Sequence, residues 1–120
     1  MKILVVDDSK AMRNIVMRTL RQAGYDGHEL VEAANGVEAL AAWKAGRPDL
    51  VLSDWNMPEM NGIELLRALK TEAANVQFGF VTSEGTPEMQ RIAAESGALF
   101  LLTKPFTVES MQAAMKKVAA

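Results

Sequence analysis

The chain contains no cysteine, which excludes disulfides, thiol chemistry and cysteine-ligated zinc. It also lacks any apolar run near the ~20 residues of a membrane span. Its amino terminus does not show the charged, then apolar, then small layout of a secretory signal. The expectation is a soluble, cytoplasmic protein. Excess charge of one sign is missing too. Thirteen Lys and Arg stand against 15 Asp and Glu, a formal net charge of −2, which offers no electrostatic footprint for nucleic acid. Low-complexity segments, linkers, internal repeats and a Gly-rich nucleotide cradle are absent as well. The only histidine, His28, falls in a half-polar segment away from any strand end. A structural or solvated role is expected for it, not a phosphorelay role.

What is present is a chain of 120 residues that is 49% hydrophobic, enough to bury a real core within one domain. The last residues, "MQAAMKKVAA", still carry a helical pattern, so the domain is expected to cover residues 1–120. Strand-like and helix-like patterns alternate along it. Ile3–Val6 reads as a first buried strand, followed by Met12, Ile15, Val16, Thr19 and Leu20 at helical spacing, with a stop near Gly24. "HELVEAA" reads as a short edge strand. Val37, Leu40 and Ala41 mark a second helix closed by "AGRP". Leu50–Ser53 is a compact third strand. After a loop with Pro58 and the pair Asn61-Gly62, a third helix runs through Ile63, Leu66 and Leu69. "VQFGFVT" and "LFLLT" are the fourth and fifth strands. The helix after each carries Met89, Ile92, Ala93 and Ser96, then Val108, Met111, Met115 and Val118. These spacings predict core packing for the three methionines. Five strand–helix repeats predict a mostly parallel, doubly wound α/β sheet with helices on both faces. The sheet is expected to be open, because a closed eight-unit barrel needs ~250 residues.

In such a sheet, ligands bind beyond the carboxyl ends of the strands, so the residues that end each apolar run carry the functional information. The first strand ends in Asp7-Asp8, the third in Asp54, the fourth in Thr82 and the fifth in Lys104. The second ends in Ala33-Ala34 and is expected to contribute nothing. Each residue alone has an ordinary explanation. Asp8 or Ser9 can cap a helix, Asp54 can open a turn, Thr82 fits a strand and Lys104 can be a solvated lysine. Their joint placement on one edge, with neighbouring strands ~4.8 Å apart, does not. Like charges 4 Å apart repel by roughly 4 kcal/mol at an effective dielectric near 20, so three clustered acids need positive partners. Lys104 supplies one charge. A hard, oxygen-seeking divalent ion such as Mg²⁺ supplies more and leaves room for a phosphoryl group. Asp54 is then free to act as a carboxylate nucleophile toward phosphorus, with Thr82 and Lys104 opposite the phosphoryl oxygens.

The stretches "LVVDDSKAMR", "LVLSDWNMPEMNG", "FVTSE" and "LLTKPF" resemble the phosphoacceptor receiver domains of two-component response regulators, most of all the single-domain chemotaxis type. The resemblance spans essentially the whole chain. It implies a flavodoxin-like sheet of order 2-1-3-4-5 and Asp54 as the phosphorylated aspartate. It also implies a Mg²⁺ site of Asp8, Asp7, Asp54 and the backbone carbonyl of Asn56, with Asp7 often acting through water. Thr82 and Lys104 bind the phosphoryl group, and Lys104-Pro105 is the family's cis peptide. Output is expected at the fourth helix, fifth strand and fifth helix. The implied partners are a sensor histidine kinase as phosphodonor, a downstream target such as a flagellar motor switch, and a phosphatase, with no nucleic acid or membrane. One departure stands out: three residues before the lysine, where the family carries Tyr or Phe, this chain has Leu101. Alternatives are the receiver portion of a larger regulator, a phosphorylation-independent adaptor, and a small Mg²⁺-dependent phosphatase with an aspartyl nucleophile. Phosphatases of that kind generally use Asp-x-Asp after the first strand and carry a cap, whereas this chain has adjacent acids and no room for a cap.

Overall fold

A computed structural model describes residues 1–119; Ala120, the last residue of the expected domain, lies outside the described residues. The strands are β1 (Lys2–Val6), β2 (Glu29–Ala33), β3 (Leu50–Ser53), β4 (Phe78–Thr82) and β5 (Phe100–Thr103). Between and after them run α1 (Lys10–Leu20), α2 (Gly36–Gly46), α3 (Gly62–Glu72), α4 (Pro87–Glu95) and α5 (Val108–Met115). All pairings are parallel, in the order β2-β1-β3-β4-β5. This is the flavodoxin-like arrangement the resemblance implies, with β2 at one edge.

Alternation along the strands divides the core into two layers, because successive side chains leave a strand on opposite faces. Leu4, Val6, Val51, Phe78 and Phe80 point to the side covered by α2, α3 and α4, where they meet Trp43, Leu65, Leu66, Leu69 and Ala93. Ile3, Val5, Leu50, Leu52 and Val81 point to the other side, where α1 and α5 bring Val16, Leu20, Met111 and Met115. Burying one such side chain contributes about 1.5–3 kcal/mol, which offsets the entropy of ordering it. Met111 and Met115 take the core places expected of them. Met89 does not; it is half-exposed, because α4 buries only Ala93 fully and packs Ile92 partly against the core. Among the described residues, no helix is long and apolar enough to cross a membrane.

The helix starts fix the loops around the strand ends. Ser9 caps α1 by accepting the Met12 N–H, and Asn61 forms a reciprocal capping box with Glu64 at the start of α3, satisfying free amide donors. Regular α1 ends at Leu20 and runs on through a wider turn, Arg21–Tyr25, in which Gly24 has φ 109°, a conformation that glycine adopts without a Cβ clash. The Lys104–Pro105 peptide is cis.

Candidate phosphoacceptor and metal site

The register brings the expected residues together. Val6 lies opposite Ser53, and Ser53 opposite Phe80, so the next residues of β1 and β3, Asp7 and Asp54, emerge side by side. Thr82 ends β4 opposite Thr103 of β5, and Lys104 follows directly. Asp7 is 3% exposed, and its polar atoms are all engaged. Its N–H donates to the Ala33 carbonyl (3.1 Å). Its carbonyl accepts from Arg13 Nη1 (2.7 Å), its Oδ1 from the Ser9 N–H (2.9 Å), and its Oδ2 from Lys104 Nζ (3.0 Å). Asp8, in contrast, is exposed.

Asp54 is tied at its backbone and on one carboxylate oxygen. Its N–H donates to the Val6 carbonyl (2.9 Å), and its Oδ1 accepts the Trp55 N–H (2.7 Å). Its carbonyl accepts from the buried Ser53 hydroxyl (2.8 Å). That carbonyl packs so closely on Gly62 that a Cβ there would lie 2.2 Å from it, which explains the glycine at the start of α3. Asp54 Oδ2 lies 3.5 Å from Lys104 Nζ. Burial pushes the Asp54 carboxyl above its usual value of 3.8, and the Lys104 charge opposes that rise. The Asp7 charge adds to it, while the Trp55 N–H and the Thr82 hydroxyl favour the ionised form.

Asp7, Asp8 and Asp54 each present a carboxylate oxygen, all within 4.8 Å of one another. An all-oxygen, anionic donor set of this kind suits Mg²⁺ and disfavours soft metals, so the residues fit the ion that the sequence calls for. Asn56 lies in the exposed loop two residues past Asp54, and its Nδ2 contacts Glu84 Oε1 at 3.4 Å. Thr82 is fully buried, and the Glu84 N–H lies 3.4 Å from its hydroxyl. Leu101 is half-buried opposite Phe80 in the β4–β5 register. Trp55 packs against Phe80, their ring centroids 4.7 Å apart. His28 stands apart, against the Met1 amine and the Tyr25 ring.

The edge strand does contribute, contrary to the sequence reading. Besides the Ala33 carbonyl, β2 brings Glu32, whose Oε1 accepts from Arg13 Nε at 2.9 Å. Arg13, Glu32 and Ser53 were not legible as site residues. Ser53 reads as one more residue of an apolar run. Arg13 differs from any other helix arginine only in the direction of its side chain.

A doubly wound sheet in this order, with carboxylates, an ammonium and a hydroxyl gathered at its carboxyl edge, defines a class of signalling switch. The family of the response regulator receiver domain matches residues 3–116; the chain belongs to this family, the receivers of two-component systems. Chemotaxis protein CheY-3 of Vibrio cholerae is 38% identical over 120 residues, covering 98% of this chain and 91% of that protein. Sporulation initiation phosphotransferase F of Bacillus subtilis is 37% identical over 116 residues, covering 97% and 91%. Among solved structures, chemotaxis protein CheY4 of Vibrio cholerae superposes with a TM-score of 0.86 at 36% identity, over 98% of both chains. A response regulator receiver domain protein from Clostridium thermocellum gives 0.86 at 26% identity, over 98% of this chain and 92% of that one.

Proposed function

We propose that residues 1–120 form one cytoplasmic receiver unit that takes a phosphoryl group from a histidine kinase onto Asp54. The observation that carries this reading is the Asp54 carboxylate facing Lys104 at 3.5 Å with Asp7 and Asp8 beside it. Asp8, Asp54, the Asn56 carbonyl and Asp7 would hold Mg²⁺, which when bound supplies positive charge opposite the phosphoryl oxygens. A carboxylate oxygen of Asp54 attacks phosphorus. The new O–P bond forms as the donor's N–P bond breaks, and the electron pair leaves with the imidazole nitrogen. The Trp55 N–H fixes the plane of the attacking carboxylate, while Lys104 and the Thr82 hydroxyl meet the charge on the transferred group. Transfer and later hydrolysis therefore use the chain's own groups, and the kinase acts as donor.

Output belongs to the face of α4, β5 and α5, where a cleft is lined by Gln90, Ala94, Leu101 and Lys117. The pairing of Thr82 with Thr103 joins the site to β5 and supports this reading. The deciding experiment is uptake of acid-labile phosphate from acetyl phosphate in Mg²⁺. Asp54→Asn is expected to abolish it; labelling of that variant at the wild-type level removes Asp54 from the role.

A further inference from the structure

Arg13 lies on α1 one turn past Ser9, and its guanidinium reaches back beneath the turn that carries the acid pair. Nη1 donates to the Asp7 carbonyl at 2.7 Å and Nε donates to Glu32 Oε1 at 2.9 Å. The side chain is 13% exposed. Its fork thus joins the end of β1 to the edge strand β2, and these contacts use no carboxylate oxygen of the acid cluster. The carbonyl it grips belongs to the Asp7–Asp8 peptide, which is planar. Fixing the oxygen of that plane fixes its other half, the Asp8 nitrogen and Cα. Asp8 is exposed, so that peptide sets the point from which its carboxylate reaches toward the cluster. Apart from the Arg13 contact, Asp7 is held at three further atoms, which leaves Asp8 as the member of the pair most dependent on this support.

We propose that Arg13 is a positioning residue for the metal site: by holding the Asp7 carbonyl it aims Asp8 at the cation, and Glu32 keeps the guanidinium in place. The inference rests on the reading of Asp7, Asp8 and Asp54 as a Mg²⁺ site. A salt bridge that merely ties α1 to β2 has the opposite signature. Arg13 is a cation near the cluster, so removing its charge alone makes the cluster more attractive to Mg²⁺. Loss of positioning makes binding weaker. The two readings differ in sign.

The test is an NMR titration of the full chain with MgCl₂, following the Asp8 and Trp55 amides in wild type, Arg13→Ala and Arg13→Lys. Loss of a supporting hydrogen bond around a metal site weakens affinity by about 10–100-fold. The lower end is expected for Arg13→Ala, because Arg13 acts through the backbone. Arg13→Lys keeps the charge and the stem, but a single ammonium cannot serve both anchors at the guanidinium's angles. It is expected to fall between the other two, and it carries the test alone if Arg13→Ala does not fold. Without metal, amide exchange at Asp8 and Ser9 should quicken in both variants. Affinity equal to or tighter than wild type in Arg13→Lys overturns the proposal. Absence of any Mg²⁺ response in wild type overturns the metal site itself, and this inference with it.

Discussion

Lys104 and Asp7 form an ion pair of 3.0 Å between residues 97 positions apart in the chain, with side-chain exposures of 15% and 5%. The same ammonium stands 3.5 Å from Asp54. It is therefore the protein's own counter-charge for two crowded acids.

Removal of that charge leaves Asp7 buried and without its cation. Loss of one partner of a fully buried pair costs about 3–5 kcal/mol, and the partial exposure of Lys104 reduces that figure. Lys104→Met, which keeps the stem, should melt several degrees below wild type in EDTA, and Mg²⁺ should recover part of the difference. Equal melting temperatures in EDTA, or no recovery with Mg²⁺, would show that the lysine does not neutralise the cluster.

Asp54 imposes a second dependence, on pH. Because burial raises its carboxyl in the folded state, the native protein binds this proton more tightly than the unfolded chain does. Stability from this group is therefore lost as pH rises through the interval above 3.8, and stays low at neutral pH. Asp54→Asn lacks that penalty. It should melt higher than wild type at pH 7 without metal, by on the order of a few degrees, and the advantage should shrink on acidification toward pH ~4. In Mg²⁺ the gap should narrow, because the ion binds and stabilises wild type more strongly. A difference independent of pH in EDTA would refute the burial account.

The switch should run through Thr82 more than through Leu101. A ligand shifts a conformational equilibrium only as far as it binds the two states differently. Thr82 faces the site, whereas Leu101 offers an aliphatic side chain that repacks at small cost and forms no hydrogen bond. With beryllofluoride as phosphoryl mimic, amide exchange in wild type should change over Ser83–Ser96 and β5. Thr82→Ala should suppress that response, and Leu101→Ala should weaken it less. A response confined to the surroundings of Asp54, or lost equally in both variants, would defeat this mechanism.

Asp7, Asp54, Thr82 and Lys104 were legible in the sequence for one physical reason. Each is the polar residue that ends an apolar run, and parallel strands all end on one edge. Asp8 was legible as the second acid at the same strand end, and Asn56 only through the family resemblance. Ser9 appeared as a cap because capping chemistry is local. Arg13 and the Ala33 carbonyl could not be read in this way, since their part depends on side-chain direction and on the β1–β2 register, not on residue type. Met89 misled because helical spacing tells which residues share a stripe without telling how deeply the helix sits. The stripe of α4 meets the core through Ala93 and, in part, Ile92.

The span from Asp7 to Lys104 also bears on biosynthesis. A chain emerging from the ribosome exposes its acid pair first and its ammonium almost last, and the two cannot meet until β5 has docked beside β4. Domains fold as units during vectorial synthesis, so the Asp7–Lys104 contact is acquired only with the closing strand. A nascent or truncated product ending before Lys104 holds Asp7 and Asp54 but not their counter-charge.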